Sequence, residues 1–181
     1  MRKESFLTGS RVYLAGNIEF TKNAFKWRHV MSSELKKLGV KVLDPTCPCF
    51  CDQDKEDLDT MAELDKWRDA GNFKPLQKFM RDVVRRDLRL IDISDFVIFR
   101  IEPSKPTFGT VHELVVAASQ RKPCLIITNN KKKLPRWLFG IVDLDLVFES
   151  QDLLIGFLRK VNDGKIKVSK KYWRFLLPEL R

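Results

Sequence analysis

Hydrophobic residues recur along the chain in two alternating patterns. Short apolar runs are typical of buried strands, and apolar residues spaced three or four apart are typical of amphipathic helices. The predicted strands are 12–15, 40–43, 96–101, 124–128 and a last one near 146–148. The predicted helices are 24–38, 76–93, 110–120 and 151–161. Ser150 is the expected N-cap of the last helix.

This alternation predicts an α/β fold. Repeated strand–helix–strand order requires parallel strands with right-handed crossovers, and helices on both faces of the sheet. We therefore expect a single Rossmann-like or flavodoxin-like domain over residues 1–181. An insert at about 46–74 interrupts the pattern, and a basic tail at about 163–181 extends it. The insert would overhang the sheet edge, as a lid or as an oligomer contact.

Composition and charge restrict the partners. The chain has 181 residues, 44% of them hydrophobic, and a formal net charge of +10, which favours an anionic partner such as a nucleotide, a nucleic acid or phosphate. The basic excess lies in residues 121–181, where no recognised nucleic-acid motif occurs, so we do not expect nucleic acid. No apolar run approaches the roughly 20 residues of a membrane span, and no signal peptide is evident. We expect a soluble, cytoplasmic protein without a membrane partner.

Three of the four cysteines, Cys47, Cys49 and Cys51, are separated by single residues. Common zinc sites space their cysteines by two to four residues, and no second Cys or His pair follows here. We therefore expect reduced thiols and neither a metal nor a cofactor.

The predicted fold places ligands outside the carboxyl ends of the strands. Three loops follow strand ends, and they should converge. The first carries Gly16, Asn17 and Glu19, the second begins at Asp44, and the third spans 102–110.

The third loop leads into the most informative segment, Pro106 to Glu113. Gly109 and Thr110 open a helix just past a strand, so that backbone N–H groups and the helix dipole favour an anion there. The hydroxyls of Thr107 and Thr110 would add donors, and Glu113 would face the same crevice one turn into the helix. The alternative is structural, because Thr110 and Glu113 also have the spacing of a capping box.

Asp87 is a second carboxylate in an unusual place. It lies on the sheet-facing side of the helix 76–93, where an acid is costly to bury without a partner. The structural alternative is an ion pair with a neighbouring arginine, which would be Arg85, Arg86 or Arg89.

Short motifs in a fixed order now point to a family. They are Tyr13-Leu14-Ala15-Gly16, Asp87-Leu88 with Ile91 and Ser94-Asp95, and Gly109 with Glu113-Leu114, Ala117 and Lys122-Pro123. In these motifs the chain resembles the nucleoside 2'-deoxyribosyltransferase-like superfamily over most of residues 11–128, outside the insert. The resemblance implies that Glu113 is a nucleophile that attacks the anomeric carbon of a 2'-deoxyribosyl group. It also implies that Asp87 positions Glu113 and protonates the departing base.

One position departs from the transferases. They carry an aspartate six residues before the nucleophile, where this chain has Thr107. The hydroxyl is similar to that of the 2'-deoxynucleoside 5'-monophosphate N-glycosidases, in which it helps bind the 5'-phosphate, and Asn17 matches another polar position of that branch. The resemblance thus implies cleavage or transfer at the N-glycosidic bond of a deoxynucleotide. It further implies a homodimer or larger assembly, with the aromatic tail at 170–177 as a candidate contact.

Two alternatives remain open from the sequence: a transferase acting on free nucleosides, and a non-catalytic nucleotide-binding protein in which Glu113 only caps a helix. Among the other candidates, Glu19 is a possible sugar or base contact and Arg28 a possible phosphate partner. For Trp27, core packing and a role in the site are equally open. Trp137 is expected to fill the core, with closing the pocket or stacking on a base as the alternative, and His112 is expected at the surface.

Overall fold

The computed structural model describes residues 5–18, 25–47, 58–105, 108–169 and 171–177. In these ranges five parallel strands form one sheet, in the order β2-β1-β3-β4-β5. The strands are β1 (Arg11–Gly16), β2 (Lys41–Leu43), β3 (Phe96–Arg100), β4 (Cys124–Ile127) and β5 (Val147–Phe148). The helices are α1 (Lys26–Lys37), α2 (Leu58–Asp69), α3 (Phe73–Ile93), α4 (Phe108–Ser119) and α5 (Gln151–Asn162). This is the strand order of flavodoxin-like doubly wound folds, so the predicted α/β class is confirmed.

Each face of the sheet carries its own hydrophobic core. Side chains alternate along a strand, so that Val12 and Leu14 enter one cluster while Tyr13 and Ala15 enter the other. Helices α1 and α5 cover the first face, and α3 and α4 cover the second. Burial on both faces explains why β3 and β4 appear in the sequence as unbroken apolar runs. Ser150 caps α5 as predicted, because its side chain accepts a hydrogen bond from the backbone N–H of Leu153.

The insert contains a helix that the hydrophobic pattern did not predict. Helix α2 is rich in acidic residues, and its sole buried apolar side chain among those described is Leu64. It packs against α3, which itself begins at Phe73, three residues earlier than expected. Because tertiary packing on α3 supports α2, a weak intrinsic pattern is sufficient to form it.

The described part of the tail returns to its own sheet. Trp173 is buried, its ring centroid lies 5.9 Å from that of Phe96, and the centroid of Phe175 lies 5.7 Å from the same ring. Trp173 is therefore used within the chain, which corrects the expectation for that residue, and a contact of the rest of the tail with another subunit stays a prediction. Trp137 needs the opposite correction, since its residue is 82% exposed and does not fill the core.

The structure describes two of the four cysteines. Cys124 is a buried free thiol, and Cys47 is partly exposed. Cys49 and Cys51 lie outside the described residues. Within the described ranges, no cluster of three or more His, Cys, Asp or Glu side chains is placed to hold a metal ion. No helix in those ranges is long and apolar enough to cross a membrane.

Candidate active site

A cavity of about 760 Å³ opens at the carboxyl edge of the sheet, beside the ends of β1 and β2 and between α3 and α4. This is the region where the strand order reverses, as expected for ligand sites in open α/β sheets. The described polar residues that line it are Tyr13, Asn17, Arg28, Asp87, Thr110, His112 and Glu113. The two candidate catalytic acids, which lie on different helices, are thus brought to one cavity.

Glu113 is held by a tyrosine from the central part of the sheet. The hydroxyl of Tyr13 on β1 donates a hydrogen bond of 2.6 Å to Oε1 of Glu113. Helix α4 begins at Phe108, so Thr110 is its third residue and not its N-cap. The capping-box alternative for Thr110 and Glu113 is therefore wrong. The role of Tyr13 was missed, although a residue with a polar tip inside an apolar strand is a usable signal.

Asp87 forms the ion pair that the sequence left open among three arginines. Its Oδ1 lies 3.0 Å from Nε of Arg86, and both side chains are only 14% exposed. Burial raises the pKa of Asp87, and the positive charges of Arg86 and, more weakly, Arg28 oppose that rise. Arg85 and Arg89 are exposed and pair instead with other aspartates of α3.

Arg28 is a buried cation at the inner end of the cavity. Its residue is 1% exposed, and Nη2 donates a hydrogen bond of 2.8 Å to the carbonyl of Gly16. Its Nε lies 3.6 Å from Oδ1 of Asp44, and its guanidinium carbon lies 4.8 Å from the ring centroid of Trp27. Asp44 is absent from the described lining of the cavity, so it reaches the site through Arg28.

Gly16 lines the cavity at the end of β1, where a side chain would be crowded. A Cβ atom built at Gly16 would lie 3.0 Å from Cζ2 of Trp27 and 3.2 Å from Cβ of Arg100. Trp27 itself is buried, as the core-packing interpretation predicts. Gly16 therefore serves packing directly, while its carbonyl orients Arg28.

Asn17 joins the first loop to the third. Its Nδ2 donates a hydrogen bond of 3.4 Å to the carbonyl of Lys105, so the predicted convergence of these loops is confirmed. Its Oδ1 is buried, and no donor among the described residues lies within hydrogen-bond distance of it. Since Asn17 lines the cavity, this oxygen is available to a hydroxyl or amino group of a ligand.

The first turn of α4 forms another part of the wall. Gly109 is exposed and Thr110 is buried, and both line the cavity as predicted. His112 is exposed, as predicted, and it also lines the cavity. Glu19 and Thr107 lie outside the described residues.

The remaining lining is largely apolar, and the sequence did not indicate its role. The apolar residues contributed by α2 and α3 are Met61, Leu64, Met80, Val83, Val84 and Leu88. The described part of the insert contains helix α2, and this helix lies over the cavity as a lid would.

Two carboxyl groups in one cavity, one of them buried with a raised pKa, are the arrangement with which enzymes cleave glycosidic bonds. The site and the doubly wound fold together define an enzyme of N-glycosidic bond chemistry. The chain belongs to the nucleoside 2-deoxyribosyltransferase family, whose sequence model matches residues 12–158.

Two solved structures are similar to this chain at low sequence identity, and the first of them shares its fold. The 2-deoxyribosyltransferase of the psychrotolerant bacterium Bacillus psychrosaccharolyticus is 17% identical, with a TM-score of 0.56 over 80% of this chain and 90% of that chain. The CMP N-glycosidase BcmB of Clostridium botulinum is 15% identical, with a TM-score of 0.48 over 87% of this chain and 100% of that chain. A search of curated proteins found no match.

Proposed function

We propose that the protein cleaves the N-glycosidic bond of a 2'-deoxynucleoside 5'-monophosphate, with Glu113 as nucleophile and Asp87 as general acid. The observation that carries this proposal is that Glu113 and Asp87, from two helices, face one cavity in which Tyr13 donates to the Glu113 carboxylate. The two acids have different neighbours, a hydroxyl for Glu113 and a guanidinium for Asp87. Such unequal surroundings allow two carboxyl groups to take different roles.

In the first step, a carboxylate oxygen of Glu113 attacks C1' of the deoxyribose. The C1'–N bond breaks, and its electron pair goes to the base, which takes a proton from Asp87. The transition state has oxocarbenium character, and the negative charge of Glu113 stabilises it. The products of this step are the free base and a glycosyl–Glu113 ester.

In the second step, water attacks C1' and the bond to the Glu113 oxygen breaks. Asp87, now ionised, takes a proton from the water. This step releases 2-deoxyribose 5-phosphate and restores both carboxyl groups to their starting states.

The phosphate end of the substrate is assigned to the first turn of α4. Backbone N–H groups at Gly109 and Thr110 and the helix dipole favour an anion there. Arg28 adds a buried positive charge to the same cavity. Thr107, which directly precedes α4 in the sequence, remains the proposed hydroxyl donor, and Glu19 remains a candidate sugar or base contact.

The sugar and the base take the remaining surfaces. Oδ1 of Asn17 is suited to accept a hydrogen bond from a sugar hydroxyl. The apolar side chains of α2 and α3 form an apolar wall against which a base can lie. Two of them, Met80 and Val83, are near Asp87 in the sequence. The resemblance also supports a homo-oligomer. Light scattering would measure the mass of that assembly.

Deoxyribosyl transfer between free nucleosides is the second candidate, and the family match supports it. In that reaction a second base, instead of water, would attack C1' of the glycosyl–Glu113 ester. The hydroxyl at Thr107, where the transferases carry an aspartate, supports the monophosphate over the free nucleoside.

The deciding experiment is a chromatographic assay for free base. Purified protein is incubated with the four deoxynucleoside monophosphates and, separately, with the four nucleosides, each with and without an acceptor base. Glu113→Gln is the test variant, and Glu63→Gln, on the exposed side of α2, is the matched control.

We expect base release from at least one monophosphate, complete loss of release in Glu113→Gln, and unchanged release in Glu63→Gln. Exchange with free nucleosides alone would replace the proposal by the transferase. Turnover that survives in Glu113→Gln would refute the nucleophile. Nucleotide binding without turnover in the wild-type protein would make the protein a binding module.

A further inference from the structure

Arg86 differs from its neighbouring arginines on α3, Arg85 and Arg89. Its side chain is 14% exposed, whereas those of Arg85 and Arg89 are 77% and 73% exposed. Successive residues on a helix do not face each other, so the distance of 3.0 Å means that the Arg86 side chain bends towards Asp87. Withdrawing a guanidinium from water is unfavourable. An exposed arginine would give the helix the same net charge without that penalty.

The charges around Asp87 come from several elements. Among the described residues, the ionisable side chains that share the cavity with it are Tyr13 of β1, Arg28 of α1, and His112 and Glu113 of α4. Helix α2 adds only apolar side chains to the described part of this wall. The guanidinium of Arg86 is the charge in direct contact with the carboxyl group, and it lies on the same helix.

We propose that Arg86 is a positioning residue that orients the Asp87 carboxyl group and tunes it as the proton donor of the reaction. The inference rests on the proposed function, in which Asp87 protonates the leaving base. A general acid works best when its pKa lies near the working pH. Burial raises the pKa of Asp87, and Arg86 limits that rise, so that the proton can both leave and return.

The test compares Arg86→Gln with the wild-type protein in two measurements. One is the 13C NMR titration of the Asp87 carboxyl group, assigned with Asp87→Asn. The other is the pH dependence of kcat for base release. Removing the positive charge makes the carboxylate less stable, so Asp87 holds its proton to higher pH. We expect the Asp87 midpoint and the alkaline limb of kcat to rise together by about one pH unit or more.

Two further variants serve as controls. Arg85→Gln removes a neighbouring arginine that is exposed, and we expect no change in either measurement. Arg86→Lys keeps the charge but loses the planar fork, so we expect a midpoint between those of the wild-type protein and Arg86→Gln, with a lowered kcat.

The outcomes separate this inference from the proposed function. If Arg86→Gln folds and both midpoints equal the wild-type values, Arg86 has only a structural role and the inference is refuted. If Arg86→Gln does not fold, Arg86→Lys decides, and wild-type midpoint and kcat in that variant refute the inference. If the wild-type protein releases no base, the proposed function fails, while the NMR titration still tests the effect of Arg86 on Asp87.

Discussion

The hydrogen bond from Tyr13 to Glu113 can be removed by deleting a single oxygen atom. Tyr13 is 1% exposed, so its ring is part of the core and Tyr13→Phe keeps that ring in place. The substitution deletes the hydroxyl that donates at 2.6 Å to Oε1 of Glu113. The variant therefore isolates the contact from the packing around it.

The expected loss follows from the type of bond. A hydrogen bond to a charged group contributes about 1.5–3 kcal/mol. The bond holds the Glu113 carboxyl group in its attacking orientation, and without it a smaller fraction of Glu113 is correctly placed. Since about 1.4 kcal/mol corresponds to a factor of ten in rate, kcat/KM should fall by roughly 10- to 100-fold. The bond is made to the nucleophile and not to the substrate, so the loss should appear in kcat, with KM little changed.

The assay is steady-state release of base from the best monophosphate, measured beside the urea midpoint of each variant. The chain has only one other tyrosine, Tyr172, which is 38% exposed and lines a separate cavity, so Tyr172→Phe is the matched control. Wild-type kcat in Tyr13→Phe, or a loss confined to KM, would refute the proposed role of this contact.

Two further outcomes test the site and the core. Gly16→Ala should lower the free energy of unfolding by about 1–3 kcal/mol, because its Cβ would press on Trp27. Gly156→Ala, where a Cβ has open space, should not be destabilising, and urea denaturation that ranks the two variants otherwise would contradict the packing at Gly16. Burial raises the pKa of the Cys124 thiol to about 12, so near neutral pH it should resist iodoacetamide in the folded protein. Mass spectrometry should show Cys124 unmodified until the protein is unfolded in urea, and rapid alkylation of native Cys124 would contradict its burial.

The sheet could be predicted from the sequence because its physics is local. Strands β3 and β4 are buried on both faces, and a strand with two buried faces has few alternatives to an apolar run. Helix α2 could not be predicted in the same way. Its charged residues give no clear apolar stripe, and it is supported by contact with α3. A contact between elements of that kind leaves little trace in either segment alone.

The residues of the candidate site could likewise be predicted only in part. Asp87 attracts attention in the sequence because an acid among apolar neighbours on a helix is unusual. Glu113 is singled out by its place after Gly109 and Thr110 and by the family resemblance. The partners of these acids are less visible: Tyr13 is 100 residues from Glu113 in the chain, and alternation fixes its face but not what it meets there. The burial of Arg86 is equally hidden, since three neighbouring arginines look alike until α3 is placed against the sheet.

The partners decide between the enzyme and the binding module more than the acids themselves do. A binding module for an anionic nucleotide gains nothing from these two carboxyl groups, because an ionised carboxyl group repels the phosphate and a buried one is costly to desolvate. An enzyme of N-glycosidic bond chemistry needs both, one ionised and one able to hold a proton. The Tyr13 hydroxyl donates a hydrogen bond to the Glu113 carboxyl group, while burial raises the pKa of Asp87 and Arg86 limits that rise. The unequal neighbours of Glu113 and Asp87 are therefore the strongest physical argument that this cavity breaks a bond.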